Sequence, residues 1–415
     1  MNTTRRLTWL SYIIFLLLGC VFISQGVVII SVSKTYDINI ANVGYLYFIT
    51  VAAQALTTYG NGYLLDKINI KYELFVGLGA VLISFLCIIS GWLPLFIIGL
   101  IPMGFGYGIL ISIPNYILLS LHPKTKFQKL NYLNFFYSLG GILGPLVLGQ
   151  LLTMHYPWQT AVLFSCIVIL LISFFIMKIH FSYMKNDIKT TESSEATKVE
   201  QTRWNYSVYL ISAAMLFYVL SEFVFSTWIV SYLKISRNFS IGEASMGLTI
   251  YWVFITFGRF AADKIGKKMK IYQFILGSSL LAFVAYIFLF FTNSTTMIFV
   301  MIAIMGTGYA ALYAAILSYG MDQLSFNSPK LMSLLVLSGT IGVILALPIS
   351  SFFVHNFGFL TALLVGLVFL GLVIVSIYIT LRDKTNPAIE YKKHRLWGAI
   401  TKRTKVFVRR KTELH

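Results

Sequence analysis

Apolar runs of roughly 20 residues, the length that crosses a bilayer core as a helix, recur along this chain between short polar breaks. They fall near 8–32, 43–65, 73–92, 95–119, 131–153 and 158–179, and after a polar stretch again near 206–232, 245–262, 271–291, 296–319, 331–354 and 359–381. The pattern predicts an all-α membrane protein of twelve transmembrane helices in two six-helix bundles. Its expected parts are an N-terminal half at 1–181, a linker at 182–204, a C-terminal half at 205–381 and a basic tail at 382–415.

Composition agrees, with 11% charged residues and a mean hydropathy of +0.81, where a soluble domain carries about 25% charge. The net charge of +18 changes the picture only through its placement: of 32 Lys and Arg, just Lys34, Lys234 and Arg237 fall in segments on one side. Positive-inside bias then puts both termini in the cytoplasm, and topology rather than nucleic acid accounts for the charge. Arg5 and Arg6 precede an apolar stretch too long for a signal peptide, so the first run is read as a span. Cys20, Cys87 and Cys166 lie inside apolar runs with no ligand spacing, which predicts neither disulfide nor metal. No HExxH, GxSxG or P-loop is present, so neither an enzyme nor a cofactor is expected.

Two motifs repeat. Asp66-Lys67-Ile68-Asn69-Ile70-Lys71 is echoed 197 residues later by Asp263-Lys264-Ile265-Gly266-Lys267-Lys268, and Met103-Gly104-Phe105-Gly106-Tyr107 is echoed 202 residues later by Met305-Gly306-Thr307-Gly308-Tyr309. Matching positions in the two halves predict an internal duplication, with glycines allowing close backbone approach in the fourth span of each half.

Gly62 through Lys71, a glycine followed by an aspartate and spaced basic residues, resembles the inner-loop signature of the major facilitator superfamily, and Gly258 through Lys268 is similar, with Arg259 standing where Gly62 stands. Arg203-Trp204, Tyr218-Val219-Leu220, Ser226 to Tyr232, Ser328-Pro329-Lys330-Leu331 and Ser338-Gly339-Thr340-Ile341-Gly342 resemble the TsgA-like branch of the fucose-permease-like group. That resemblance implies proton-driven movement of a neutral, hydroxylated solute. It also implies a cytoplasmic gate in which Asp66, Lys67, Lys71, Arg259, Asp263, Lys264 and Lys268 latch and release; positive-inside bias alone is the plainer account of the lysines. The acids that fucose-type symporters carry in spans one and four are missing here, where those spans offer Gln25 and Asn115. Gly140-Gly141-Ile142-Leu143-Gly144-Pro145 resembles an exporter motif, and helix packing explains it equally.

Glu222 is the only acid well inside a span. A carboxylate there costs several kcal/mol unless protonated or paired, which is the behaviour required of a proton-coupling residue; a merely hydrogen-bonded neutral acid is the alternative. Tyr218, one turn earlier, shares its face, and Trp228 lies farther out. Gln25, Gln54, Asn115, Asn134, Trp252, Tyr309 and Tyr313 complete the candidate substrate site, although each taken singly is more often a packing or interfacial residue.

The expected function is a secondary transporter working by alternating access, taking up a neutral sugar-like molecule with protons as a multi-pass monomer of a bacterial plasma membrane with anionic headgroups. Two alternatives are a proton-driven exporter of amphipathic compounds and a non-transporting membrane sensor that docks partners through its basic tail.

Overall fold

The computed structural model describes residues 3–64, 69–122, 125–179, 205–266, 269–323 and 329–382. Twelve helical segments are long and apolar enough to cross a membrane. They are α1 (Thr3–Tyr36), α2 (Ile40–Leu64), α3 (Ile70–Ile89), α4 (Leu93–Leu121), α5 (Lys126–Thr153), α6 (Gln159–Met177), α7 (Tyr206–Ser231), α8 (Ile241–Gly266), α9 (Ile271–Phe291), α12 (Pro329–Phe357), α13 (Phe359–Arg382), and a tenth span made of two pieces, α10 (Thr295–Tyr309) and α11 (Leu312–Met321). The sequence predicts one continuous helix over 296–319; instead the backbone turns at Ala310 and Ala311. Five connections on the face opposite the termini turn through a residue with positive φ, namely Asp37, Gly91, His155, Asn238 and Gly358, and glycine, Asn and Asp tolerate that conformation best. Arg237, on the same face, donates from Nη2 to the Phe290 carbonyl at 2.7 Å and from Nη1 to Asn293 Oδ1 at 2.9 Å, so a cation caps the negative end of α9.

The duplication is visible in packing. Gly104 of α4 faces the backbone of Thr50 on α2, and Gly306 of α10 faces that of Tyr251 on α8; Gly106 faces Gly77 and Val81 on α3, and Gly308 faces Ser278 and Ala282 on α9. Each contact in the first half therefore recurs in the second at a step of 201 or 202 residues. The helix starts agree, Ile70 of α3 pairing with Ile271 of α9. The Asp-Lys motifs, 197 residues apart, do not share this register: Asp263 lies within α8 and, by packing, matches Gly62 rather than Asp66.

Because a β-carbon on Gly104 or Gly306 would strike a neighbouring backbone, Gly104→Ala and Gly306→Ala should each cost about 1–3 kcal/mol. Gly60 and Gly277 have open space around them, so alanine there should be neutral or stabilise by about 0.4–1 kcal/mol. Thermal unfolding of the four purified variants checks this; equal losses at all four would remove the close-approach account.

Candidate functional site

Helices α1–α6 pack among themselves, as do α7–α13, and among the described residues the sets are joined mainly by α5 with α8, α2 with α12, and α1 with α7. Most close approaches between the sets lie toward the face opposite the termini. There Gly149 meets Ser245, Gly242 meets Thr153, Gly26 meets the Ser226 and Thr227 carbonyls, and Gly44 meets Trp228 and Ser351. Toward the terminus-bearing face the sets diverge around a cavity of about 1170 Å³. Asn131 near the start of α5, Ile271 at the start of α9 and Ser318 toward the end of α11 line its mouth. One face is sealed and the other open.

The walls come from stripes at helical spacing. On α7, Tyr218, Glu222 and Ser226 stand four residues apart; on α8, Trp252, Thr256 and Arg259 follow at four and three; on α5, Asn131, Asn134 and Ser138 follow at three and four. Such intervals place side chains on one helical face. Tyr137 crosses from α5 to meet Trp252 of α8, ring centroids 6.3 Å apart, and Phe22 of α1 meets Phe223 of α7 at 5.8 Å. Tyr218 rests against Tyr309 at 5.9 Å and Tyr313 at 6.4 Å.

Of the residues expected from sequence to bind substrate, Gln25, Asn134, Tyr218, Trp252 and Tyr313 line this cavity with Glu222. The other four do not. Tyr309 is buried behind it, its hydroxyl 2.5 Å from Ser221 Oγ, which itself donates to the Gly366 carbonyl at 2.6 Å. Trp228 is fully buried in the sealed face and donates from Nε1 to Ser350 Oγ at 2.8 Å. Asn115 donates from Nδ2 to the Ile111 carbonyl of its own helix at 2.8 Å, and Gln54 keeps its Oε1 buried without a partner on the side of α2 that meets α4. Asn131, Tyr137, Ser138 and Thr256 join the site unanticipated; the polar stripe on α5 was the available signal.

Arg259, expected at a cytoplasmic gate, lies in the cavity instead. Its Nη1 donates to Ser138 Oγ at 2.7 Å and its Nε to the Ala310 carbonyl at 3.2 Å. The register explains the difference: by packing, Arg259 corresponds to Thr58, one turn deeper than Gly62. Ala310 closes α10, where carbonyls lose their intrahelical partners, and the guanidinium supplies one; the Tyr218 hydroxyl approaches the neighbouring Tyr309 carbonyl at 3.5 Å. Lys71, another gate candidate, caps its own half, Nζ donating to the Met177 and Ile179 carbonyls at 3.1 and 3.2 Å, which places its charge at the negative end of α6. Asp66, Lys67 and Lys268 lie outside the described residues, as do the whole linker and all of the tail but Arg382, and only the backbone of Asp263 and Lys264 is described.

Gly140 and Gly144 of the exporter-like motif lie against the α1 backbone at Leu16 and Cys20, so helix packing within one half accounts for them.

A family model described as Major Facilitator Superfamily matches residues 10–327. The chain is 24% identical over 366 residues to Protein TsgA homologs of Yersinia pestis (strain Pestoides F) and of Yersinia pseudotuberculosis serotype O:3 (strain YPIII), covering 87% of this chain and 92% of each relative. Among solved structures it resembles a mutant of the nucleoside transporter NupG, with a TM-score of 0.71 at 14% identity over 92% of this chain and 99% of that one. A bacterial homolog of the human lysosomal transporter Spinster, inward-facing and unoccupied, also scores 0.71 at 14% identity, covering 92% and 96%. The transporter FucP in its outward conformation scores 0.60 at 16% identity, covering 91% and 99%.

Proposed function

The chain belongs to the Major Facilitator Superfamily and is a multi-pass secondary transporter of a small solute, and from that premise we propose that it takes its solute up together with protons, through Glu222. The single observation that carries this reading is that Glu222 is the only carboxylate among the described residues lining the cavity between the two helix sets. A carboxyl group in a bilayer-spanning helix is a functional group by default, and here it faces the space that alternating access would expose to each side in turn.

With the termini in the cytoplasm of a bacterium, as the lysine and arginine placement supports, the cavity opens inward. The amide and hydroxyl groups of Gln25, Asn131, Asn134 and Ser138, with Tyr218, Tyr313 and Trp252 rings, suit the hydroxylated, sugar-like solute expected from the sequence; FucP and the nucleoside transporter NupG share this fold. The cytoplasmic gate, recast without Lys71 and Arg259, keeps Asp66, Lys67, Asp263, Lys264 and Lys268 as its candidates.

Proteoliposomes loaded with a pH-sensitive dye test the coupling. Addition of D-glucose, D-glucuronate, uridine or 4-hydroxybenzoate is expected, for at least one of them, to acidify the interior by symport. Alkalinisation would indicate an exporter, and no proton movement with any solute that demonstrably enters would end the coupling proposal.

A further inference from the structure

Among its described lining residues, the central cavity holds one acid and one base, Glu222 on α7 and Arg259 on α8. Arg259 is within electrostatic reach of Glu222. Its hydrogen bonds to described residues nevertheless go to neutral acceptors, the Ser138 hydroxyl of the other helix set and the Ala310 carbonyl at the break in the tenth span. A guanidinium is a rigid planar fork whose remaining donors match a carboxylate in bidentate fashion. This one is exposed to the cavity, with the amides of Asn131 and Asn134 along the stripe that ends at Ser138.

Charge balance decides what such a site accepts. With Glu222 ionised, the empty cavity is neutral, because acid and base cancel across it. Once Glu222 binds a proton, Arg259 leaves one uncompensated positive charge, and only an anion removes it. Unpaired charge is penalised in a low-dielectric interior. The empty cavity and the cavity holding one proton and one monoanion are therefore both free to reorient, while the cavity holding only one of the two is held back.

We propose that the solute is a small organic monoanion, a carboxylate on a hydroxylated or aromatic body, held by Arg259 and entering with one proton on Glu222. This rests on the proton-coupled reading above and changes the neutral solute expected from sequence to an acid. The titratable and charged groups facing Glu222 are Tyr218 from its own helix, Tyr137 from α5, Tyr251 and Arg259 from α8, and Tyr309 and Tyr313 from either side of the break. Arg259 is the only cation among them.

The test is ligand-induced thermal stabilisation of the full chain in detergent, with D-glucuronate against D-glucuronamide and 4-hydroxybenzoate against 4-hydroxybenzamide. Measurements are made at about pH 5.5 and about pH 7.5, where both acids stay ionised. At least one acid is expected to bind about tenfold or more tightly than its amide, and more tightly at the lower pH. Glu222→Gln should keep that affinity and flatten its pH dependence. Arg259→Gln should lose it, with Arg259→Lys recovering a part. Binding by neither acid, equal binding by the amides, or acid binding that survives in Arg259→Gln would overturn the proposal. If Arg259→Gln fails to fold, Arg259→Lys decides: undiminished affinity there shows that the planar fork is not the ligand-holding group and also overturns it. No gradient is involved, so the two readings fail separately: a chain that binds the acids through Arg259 and still moves no protons would defeat the coupling reading and the shared proton, and would leave only the anion on Arg259.

Discussion

Replacing Glu222 by glutamine is expected to abolish accumulation driven by a proton gradient, the ratio of internal to external solute falling to one, while exchange of solute across the membrane continues. The amide preserves the size and hydrogen-bonding outline of a protonated acid and removes the proton. A transporter loses its driving force in this way without losing its path. Coupling free energies of ordinary size change one ligand's affinity by about 5- to 150-fold in the presence of the other, and that linkage is what the substitution deletes. Uptake by reconstituted vesicles with and without an imposed gradient, next to counterflow in the same vesicles, separates the two quantities. Undiminished accumulation would take Glu222 out of the mechanism.

The second large effect is expected at Gly44. A side chain there would run into the Trp228 ring and Ser351, where α2 of one set meets α7 and α12 of the other. Trp228 is fully buried and tied to Ser350, so it has little room to give. Gly44 is absent from the cavity wall, so Gly44→Leu should force the sealed face apart without touching the solute site. Overpacking of about 1–3 kcal/mol shifts a two-state equilibrium by about 5- to 150-fold, from sealed toward open on the side opposite the termini. A reporter cysteine at Thr227, in a background with Cys20, Cys87 and Cys166 replaced by alanine, should become reactive to an impermeant maleimide added on that side. An unreactive reporter in a folded Gly44→Leu protein would show that this contact is not the seal.

The twelve spans were legible because the requirement for about 20 apolar residues is imposed by the bilayer and overrides local detail. The break in the tenth span was not. Ala310 and Ala311 are the strongest of helix formers, and the glycines before them, Gly306 and Gly308, recur as Gly104 and Gly106 in a fourth span that runs unbroken; at the break Arg259 and Tyr218 reach the Ala310 and Tyr309 carbonyls from two other helices. Glu222 stood out since any acid in a span is costly, whereas Asn131 and Ser138 were overlooked although their spacing with Asn134 traces one face of α5. Trp228 and Tyr309 show the limit of residue type as a guide: both carry polar atoms at membrane depth, and both spend them on partners behind the wall. For Arg259 the motif and the register disagree. The Asp-Lys echo aligns it with Gly62, and the packing of Gly104 and Gly306 places it a turn deeper.

That break in the tenth span also ties the shape of the chain to hydration. Irregular backbone survives at bilayer depth only where it borders water or protein partners, and the Ala310 and Ala311 backbone borders the open cavity. When the cavity closes on this side the water leaves. The Ala310 carbonyl must then either keep the Arg259 guanidinium or recover an amide by continuing the helix. The bend of the tenth span is thus tied to an open, hydrated cavity and to the one guanidinium that reaches its Ala310 carbonyl from another helix.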